Sequence, residues 1–266
     1  MTVPADWLAP EWRIAGVGAL MTTRAGGVSA GPHASMNVGI AVGDDPRAVA
    51  ANRRSLAEAV GAAPVFLRQM HGRRVVRLAA EDAAPDAPVH EADAAVTTVP
   101  GVACIVQAAD CLPVLLAAPD GRAVGAAHAG WRGLAGGVVE AAVAAVCDAA
   151  ACAPAELTAW LGACIGPDAF EVGADVLAAF AVDPQPGRGD ASAARRFRAR
   201  GGGKWLADLA GLARDRLAAA GVSRVAGGRW CTVAEPERFF SFRRDGTTGR
   251  MAAAIWIRSR RSDTRG

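Results

Sequence analysis

The chain has 266 residues, 52% of them hydrophobic, with 29 basic and 26 acidic side chains and a formal charge of +3. This composition supports a sizeable buried core and excludes a disordered or fibrous chain, and so even a charge balance leaves no electrostatic footprint for nucleic acid. The first residues, "MTVPADWLAPEW", show no basic start followed by an apolar run, so no secretory signal is expected, and the longest apolar stretch, "VACIVQAADCLPVLLAA", is broken by Asp110 and Pro113, which argues against a membrane span.

In chain order, residues 14–24 predict a strand, followed by a long Gly/Pro/Ser/Asn loop to Pro46. A loop of that length inside a compact chain is usually functional or disordered. "DPRAVAANRRSLAEAVG" predicts a helix capped by Asp45, with Pro46 in its first turn and Gly61 at its end. "PVFLRQM" and "RVVRL" predict a hairpin whose turn holds His71 and Gly72. Strands are expected near 93–98, 102–108, 112–118 and 122–128, with a turn at "PDG". A helix over 131–150, a strand through "ELTAWLGACIG" and a helix over 173–181 come next. The segment 183–203 has no apolar period and reads as a mobile loop; its "ARRFRAR" and the basic tail read as solvated surface. A helix at 204–219, strands near 228–233 and 250–257, and a polar turn "RRDGTTGR" between these two strands complete the chain. Together these elements predict a single α/β (α+β) domain over 1–266, a layered sandwich of mixed β-sheets flanked by helices. Six cysteines with no C-x-x-C pair point to reduced thiols and a cytoplasmic protein.

Several chemistries lack their signatures. "GAAHAGWR" does not end in the Lys-Ser/Thr of a phosphate loop, no G-x-G-x-x-G opens a helix, and H-E-x-x-H, G-x-S-x-G and the zinc-deaminase pattern are missing. What remains are three polar residues at ends of buried strands: His71 in "RQMHG", Cys111 in "AADCLP" and His128 in "AHAGWRG". Two imidazoles and a thiolate are the donors of an open catalytic zinc site and equally suit copper; the competing reading is two satisfied core or turn histidines and a buried thiol.

Flanking residues offer further candidates. Gly130, Gly133, Gly136 and Gly137 surround the helix start after His128, and with Arg132 they form an anion cradle or merely permit close packing with Arg132 in solvent. Trp131 is a stacking surface or a core plug. Arg24, Asn37, Asn52 and Arg53 could hold phosphate or ribose, although Asn37 is equally a turn former. Asp110 is a candidate general acid or base, or an acceptor for a ligating histidine. Cys164 reads as a buried thiol, and His33 and His90 are expected to face solvent.

The segments "TTRAGGVS", "SMNVGIAVGDDPRAVAANR", "RQMHG", "ADAAVTT", "AADCLPVLL", "AAHAGWRG", "LGACIGPDAFEVG" and "RFFSFRRDGTTGRMAAAIWI" occur in order over nearly the whole chain. They strongly resemble the bacterial YfiH family of laccase-domain, or multicopper polyphenol oxidase, proteins. The resemblance implies a YfiH-like layered fold and a metal triad of His71, Cys111 and His128. It also implies a Zn²⁺-dependent purine nucleoside phosphorylase, Cu²⁺ being the other metal, using adenosine, inosine, guanosine or methylthioadenosine with phosphate. Adenosine deamination is the implied companion activity. For that chemistry Asp110 is the candidate proton shuttle, and the helix start after His128 with Arg132 or Arg24 would offset the charge of phosphate. The chain departs from the pattern at Phe170 and Phe242, where many relatives carry tyrosine. A four-copper oxidase is excluded by the total of four histidines, too few for a mononuclear and a trinuclear site. Rival readings are a single-copper oxidase, a metal-storing module, and a cysteine hydrolase in peptidoglycan-precursor editing with Cys111 as nucleophile and His128 as its base.

Overall fold

The computed structural model describes residues 3–12, 14–183 and 191–259. The strands in chain order are β1 (Val17–Met21), β2 (Ala63–Val65), β3 (Val75–Leu78), β4 (Ala94–Thr97), β5 (Val102–Ala108), β6 (Leu112–Ala117), β7 (Val124–Ala129), β8 (Thr158–Leu161), β9 (Glu171–Val172), β10 (Phe197–Gly201), β11 (Lys204–Ala207), β12 (Arg224–Gly227) and β13 (Met251–Ile257). The helices are α1 (Pro46–Val60), α2 (Trp131–Ala135), α3 (Val138–Ala150), α4 (Ala174–Ala179), α5 (Ala191–Ala194), α6 (Leu209–Ala219) and α7 (Phe242–Asp245). They build a four-stranded sheet β1-β13-β5-β2, a six-stranded sheet β12-β8-β6-β7-β4-β3 and a small sheet β10-β11-β9. No helix among the described residues is long and apolar enough to cross a membrane.

The layering follows from the period-two pattern of the strands. In β5, Cys104 and Val106 face the core between the two large sheets, where Ala253 and Ile255 of β13 meet Leu115, Ala126 and Trp160 of the six-stranded sheet. The alternate residues Ala103 and Ile105 turn outward with Ala252 and Ala254 to meet Leu56 and Val60 of α1. On the far side, Val114, Leu116 and Ala127 pack under Val139, Val146 and Leu212 from α3 and α6. Strands covered on both faces read as continuous apolar runs, which is why β5, β6 and β13 carry so few polar residues. The result is the expected layered α/β sandwich of mixed sheets, with helices outside.

α1 ends as its sequence dictates: the Asp45 carboxylate accepts from Arg47 N, and Gly61 closes the helix at φ 64°. Other expectations need correction. The segments around His71 do not form a hairpin. β2 pairs parallel with β5 in one sheet and β3 parallel with β4 in the other, so residues 66–74 cross between layers. The Gln69 amide replaces a ladder partner there, donating to Gln107 O and accepting from Gln107 N. The helix expected over 131–150 is two helices, because Gly137 takes φ 91° and breaks it. The helix expected from 204 begins at Leu209, capped by Asp208, and residues 204–207 are strand instead. Of the segment 183–203 taken for a mobile loop, 184–190 lie outside the described residues, while 197–201 pair with β11. The strand near 228–233 is reduced to one bridge between Cys164 and Cys231, and the pairing strand is β12 before it. The polar turn in "RRDGTTGR" opens within α7.

Candidate metal centre

Strand register brings the three candidate donors together. Antiparallel pairing sets Pro113 opposite His128 and Leu112 opposite Ala129, so Cys111 at the foot of β6 lies beside the end of β7. Pairing of Ala94 with Ala127 places Asp93 next to His128, whose N–H donates to Asp93 O at 2.7 Å. On the other side of β4, β3 carries the chain back from the corner at His71. That corner is strained, with His71 at φ 59°, a conformation costly for a residue with a Cβ. Asp93 holds it, accepting from Met70 N (3.0 Å), His71 N (2.9 Å) and Gly72 N (2.7 Å). The same carboxylate lies 2.9 Å from His128 Nδ1, so one buried side chain orients two of the three donors.

His71 Nε2 and Cys111 Sγ are 3.8 Å apart, and the ligand atoms of His71, Cys111 and His128 all lie within 4.8 Å of one another. The two rings meet edge to face, 4.8 Å between centroids at 76°. With Asp93 taking Nδ1 of His128, Nε2 is left as its donor atom, the usual arrangement of a metal-bound histidine backed by a carboxylate. Donor types and spacing therefore fit a single zinc or copper ion. His128 is buried, Cys111 half-buried and His71 exposed, so the site opens on the His71 side.

The electrostatics reinforce this. Burial pushes the Cys111 thiol up, but the His128 charge and hydrogen bonds from His128 and His71 outweigh it and bring its pKa down to about 6. Burial disfavours the His128 cation, yet the Cys111 thiolate and Asp93 raise its pKa to about 9. Asp93, despite burial, is held below the ordinary carboxylate range by His128 and the backbone donors. Gly130 makes the close approach possible: a Cβ there would stand 2.9 Å from Cys111 Sγ and 3.0 Å from His71 Cδ2.

The remaining sequence candidates fall in different places. Asp110, at φ 102°, adjoins Cys111, but its carboxylate accepts from Thr232 Oγ1 and Arg243 N, each at 2.6 Å. It latches two loops together beside the site. Arg132 is exposed, 4.3 Å over the half-buried Trp131 ring, which packs against the core. Arg24 donates to Ala34 O and Pro236 O, and Arg53 to Val38 O. Asn37 is wholly buried, its amide donating to Gly39 O and Asp44 and accepting from Gly39 N and Arg250 N. Asn52 is likewise enclosed, so in this structure Arg24, Asn37, Asn52 and Arg53 brace loops. His33 is buried rather than solvent-facing, because its ring sits between Val42 O and Asp44. His90 is half-buried against Asp82. Cys164 is buried with its pKa raised by desolvation, and all six cysteines are free. A cavity of about 370 Å³ lies along Cys164, Cys231, Asp208 and Trp230, not over the triad. Asp93 is the residue that the sequence reading missed. Its only signal is a carboxylate directly before a buried strand in "EADAAV".

Fold and site thus define a layered α/β protein with one His₂Cys centre at the ends of its central strands. The chain belongs to the family described as multi-copper polyphenol oxidoreductase laccase, which it matches over residues 18–258, and to which its YfiH relatives point. It is 46% identical over 253 residues to proteins named purine nucleoside phosphorylase from Pseudomonas aeruginosa and, as YfiH, from Escherichia coli, covering 94% of this chain and 98% of each relative. A crystal structure of a Neisseria meningitidis protein superposes with a TM-score of 0.86 at 47% identity, covering 96% of this chain and all of that one. YlmD from Geobacillus stearothermophilus gives 0.86 at 34% identity, covering 97% and 98%. The family description does not carry a multicopper cluster to this chain: His33 and His90 are tied to other partners, and the triad is the one group of three among the described residues that could hold a metal ion.

Proposed function

We propose that this chain is a metal-dependent purine nucleoside phosphorylase, acting on adenosine, inosine, guanosine and methylthioadenosine, with adenosine deamination as a companion activity. The observation that carries this reading is the convergence of His71, Cys111 and His128 on one point that opens to solvent, in a chain closely similar to proteins named for that reaction. His71, Cys111 and His128 would hold a zinc ion, or copper in its place, which would supply Lewis-acid chemistry at this point. Asp93 fixes the ring of His128, and its hold on the 70–72 corner aims His71 at the same point. In phosphorolysis a phosphate oxygen bonds to ribose C1′ while the C1′–N9 bond breaks, the purine leaving with the electron pair and taking up a proton. Asp110 is the carboxylate nearest in sequence to the triad's thiolate, and we assign it the proton transfer of the deamination, in which the oxygen of a water molecule bonds to purine C6, the C6–N bond breaks and ammonia leaves. We infer that residues 1–266 act as one unit in the reducing cytoplasm.

Inosine turnover with and without phosphate, alongside metal analysis, tests the reading. Equal amounts of hypoxanthine and ribose 1-phosphate, formed only with phosphate and in proportion to bound metal, are the expected result. A second reading has its own observation: Cys111, His128 and Asp93 have the order of a nucleophile, its base and the base's orienting carboxylate. Phosphate-independent turnover by metal-free protein, lost in Cys111→Ala, would replace the phosphorylase with a cysteine hydrolase.

A further inference from the structure

The geometry points to Arg250 as the residue that receives the anionic co-substrate, against the exposed ring of Phe242. This assignment deepens the phosphorylase reading and rests on it for the identity of the anion. It begins with register. Met251 of β13 lies opposite Ala108 of β5, so Arg250 leaves the sheet level with Ala109, two residues before Cys111. From there its guanidinium reaches the Phe242 ring, 5.8 Å from the centroid, and Phe242 is joined through Arg243 N to Asp110. Burial lowers the pKa of Arg250, and the negative charges of Cys111 and Asp110 oppose that shift. The arginine therefore stands on the wall of the site.

The donors decide what it can hold. Arg250 Nη1 donates to Thr248 O and Gly249 O, at 3.2 and 3.0 Å. The other edge of the guanidinium, Nε with Nη2, has no acceptor and no carboxylate partner among the described residues. This is the edge that grips a carboxylate elsewhere in the same molecule: Arg196 uses it on Asp215 and Arg244 on Asp245. An Nε/Nη2 edge matches two oxygens of a phosphate as it does two of a carboxylate. The arm is also fixed in advance, since Arg250 N donates to Asn37 Oδ1 and Arg250 O accepts from Val38 N. Next to it the Thr248 hydroxyl, on a residue 2% exposed, has no hydrogen-bond partner. A half-buried guanidinium is screened less than an exposed one, so Arg250 outweighs Arg132 as an anion holder. Phe242, 59% exposed, offers a flat apolar surface beside the anion, suited to the sugar or base of a nucleoside.

Calorimetric titration of inorganic phosphate into the metal-loaded full-length protein tests the assignment apart from turnover. Arg250→Met is expected to weaken phosphate binding at least about tenfold, and more than Arg132→Ala does. In steady state the phosphate KM should rise by the same factor while the inosine KM changes far less. Wild-type phosphate affinity in Arg250→Met, or a larger loss in Arg132→Ala, overturns it. Should Arg250→Met lose its cooperative melt, Arg250→Lys and a crystal of the wild type soaked in phosphate decide. An anion on the Nε/Nη2 edge supports the assignment, and an anion seated only at Trp131 and Arg132 overturns it. Phosphate binding that depends on Arg250 without any nucleoside cleavage would keep the anion site and remove the phosphorylase reading.

Discussion

Two parts of this chain put many polar side chains on irregular backbone, the loop over 24–44 and the strand ends around the triad, and they use them differently. In the loop almost every polar group closes on protein. Asn52 alone donates to Ser29 Oγ, Ser35 O and Asn37 O and accepts from Val28 N, and Ser29 and Asn37 both reach Asp44. At the strand ends a single buried carboxylate satisfies the backbone and leaves the imidazoles and thiolate facing one another. A polar residue is available for chemistry when something else has taken over its structural duties. Asp93 does this for His71, and no counterpart does it for Asn37.

The contrast can be broken at its strongest point first. Cys111→Ala should lose stoichiometric metal and bring phosphorolysis to background while the protein still melts cooperatively, as metal analysis and calorimetry would show; full metal retention would mean that the thiolate is not a ligand. Asp93→Asn comes next, because an amide cannot accept from three N–H groups and His128 as a carboxylate does. Metal affinity should drop by about 10- to 100-fold in a chelator competition. Asn52→Ala should act on the fold instead, removing buried hydrogen bonds and costing about 2–4 kcal/mol in denaturant unfolding, with the metal affinity of the folded protein unchanged. A loss of metal affinity matching that of Asp93→Asn would erase the distinction between the two regions.

The smallest effect concerns pH in metal-free protein. The depressed Cys111 pKa means that the thiolate's contribution to stability is complete above the pKa of an unfolded thiol and is lost as pH falls through about 6. The raised His128 pKa works in the opposite sense, its contribution being present below the ordinary histidine value and lost as pH rises through about 9. Between those limits one contribution grows as the other fades, so the pair should leave the stability of the apoprotein nearly flat from about pH 6 to about 9. Thiolate absorbance should titrate near 6 and move upward in His128→Ala; a midpoint left in place would show that His128 does not hold the charge.

Much of this was legible in the residues. The caps of α1, the buried runs of β5 to β7 and the three donors stand out because each is a local signal. What could not be read were relations between distant segments. Nothing near His71 says that Val65 and Val75 enter different sheets, since both partners, β5 and β4, lie further along the chain. Arg24 and Asn37 are polar loop residues by sequence, and only the closed hydrogen bonds show them to be braces. Asp93 went unnoticed because its importance lies in four bonds to residues 21 to 35 positions away.

One feature of the large sheets bears on how the protein is made. β13 lies between β1 and β5, pairing with both, although it is synthesised last of the three. On a ribosome, β1 and β5 must wait with unpaired edges across the gap that residues 251–257 will fill. Arg250 and α7, which begins at Phe242, directly precede that strand in the chain. Residues 71 to 128, which carry His71, Asp93, Cys111 and His128, are therefore all synthesised before the strand that closes the neighbouring sheet and brings Arg250 beside them.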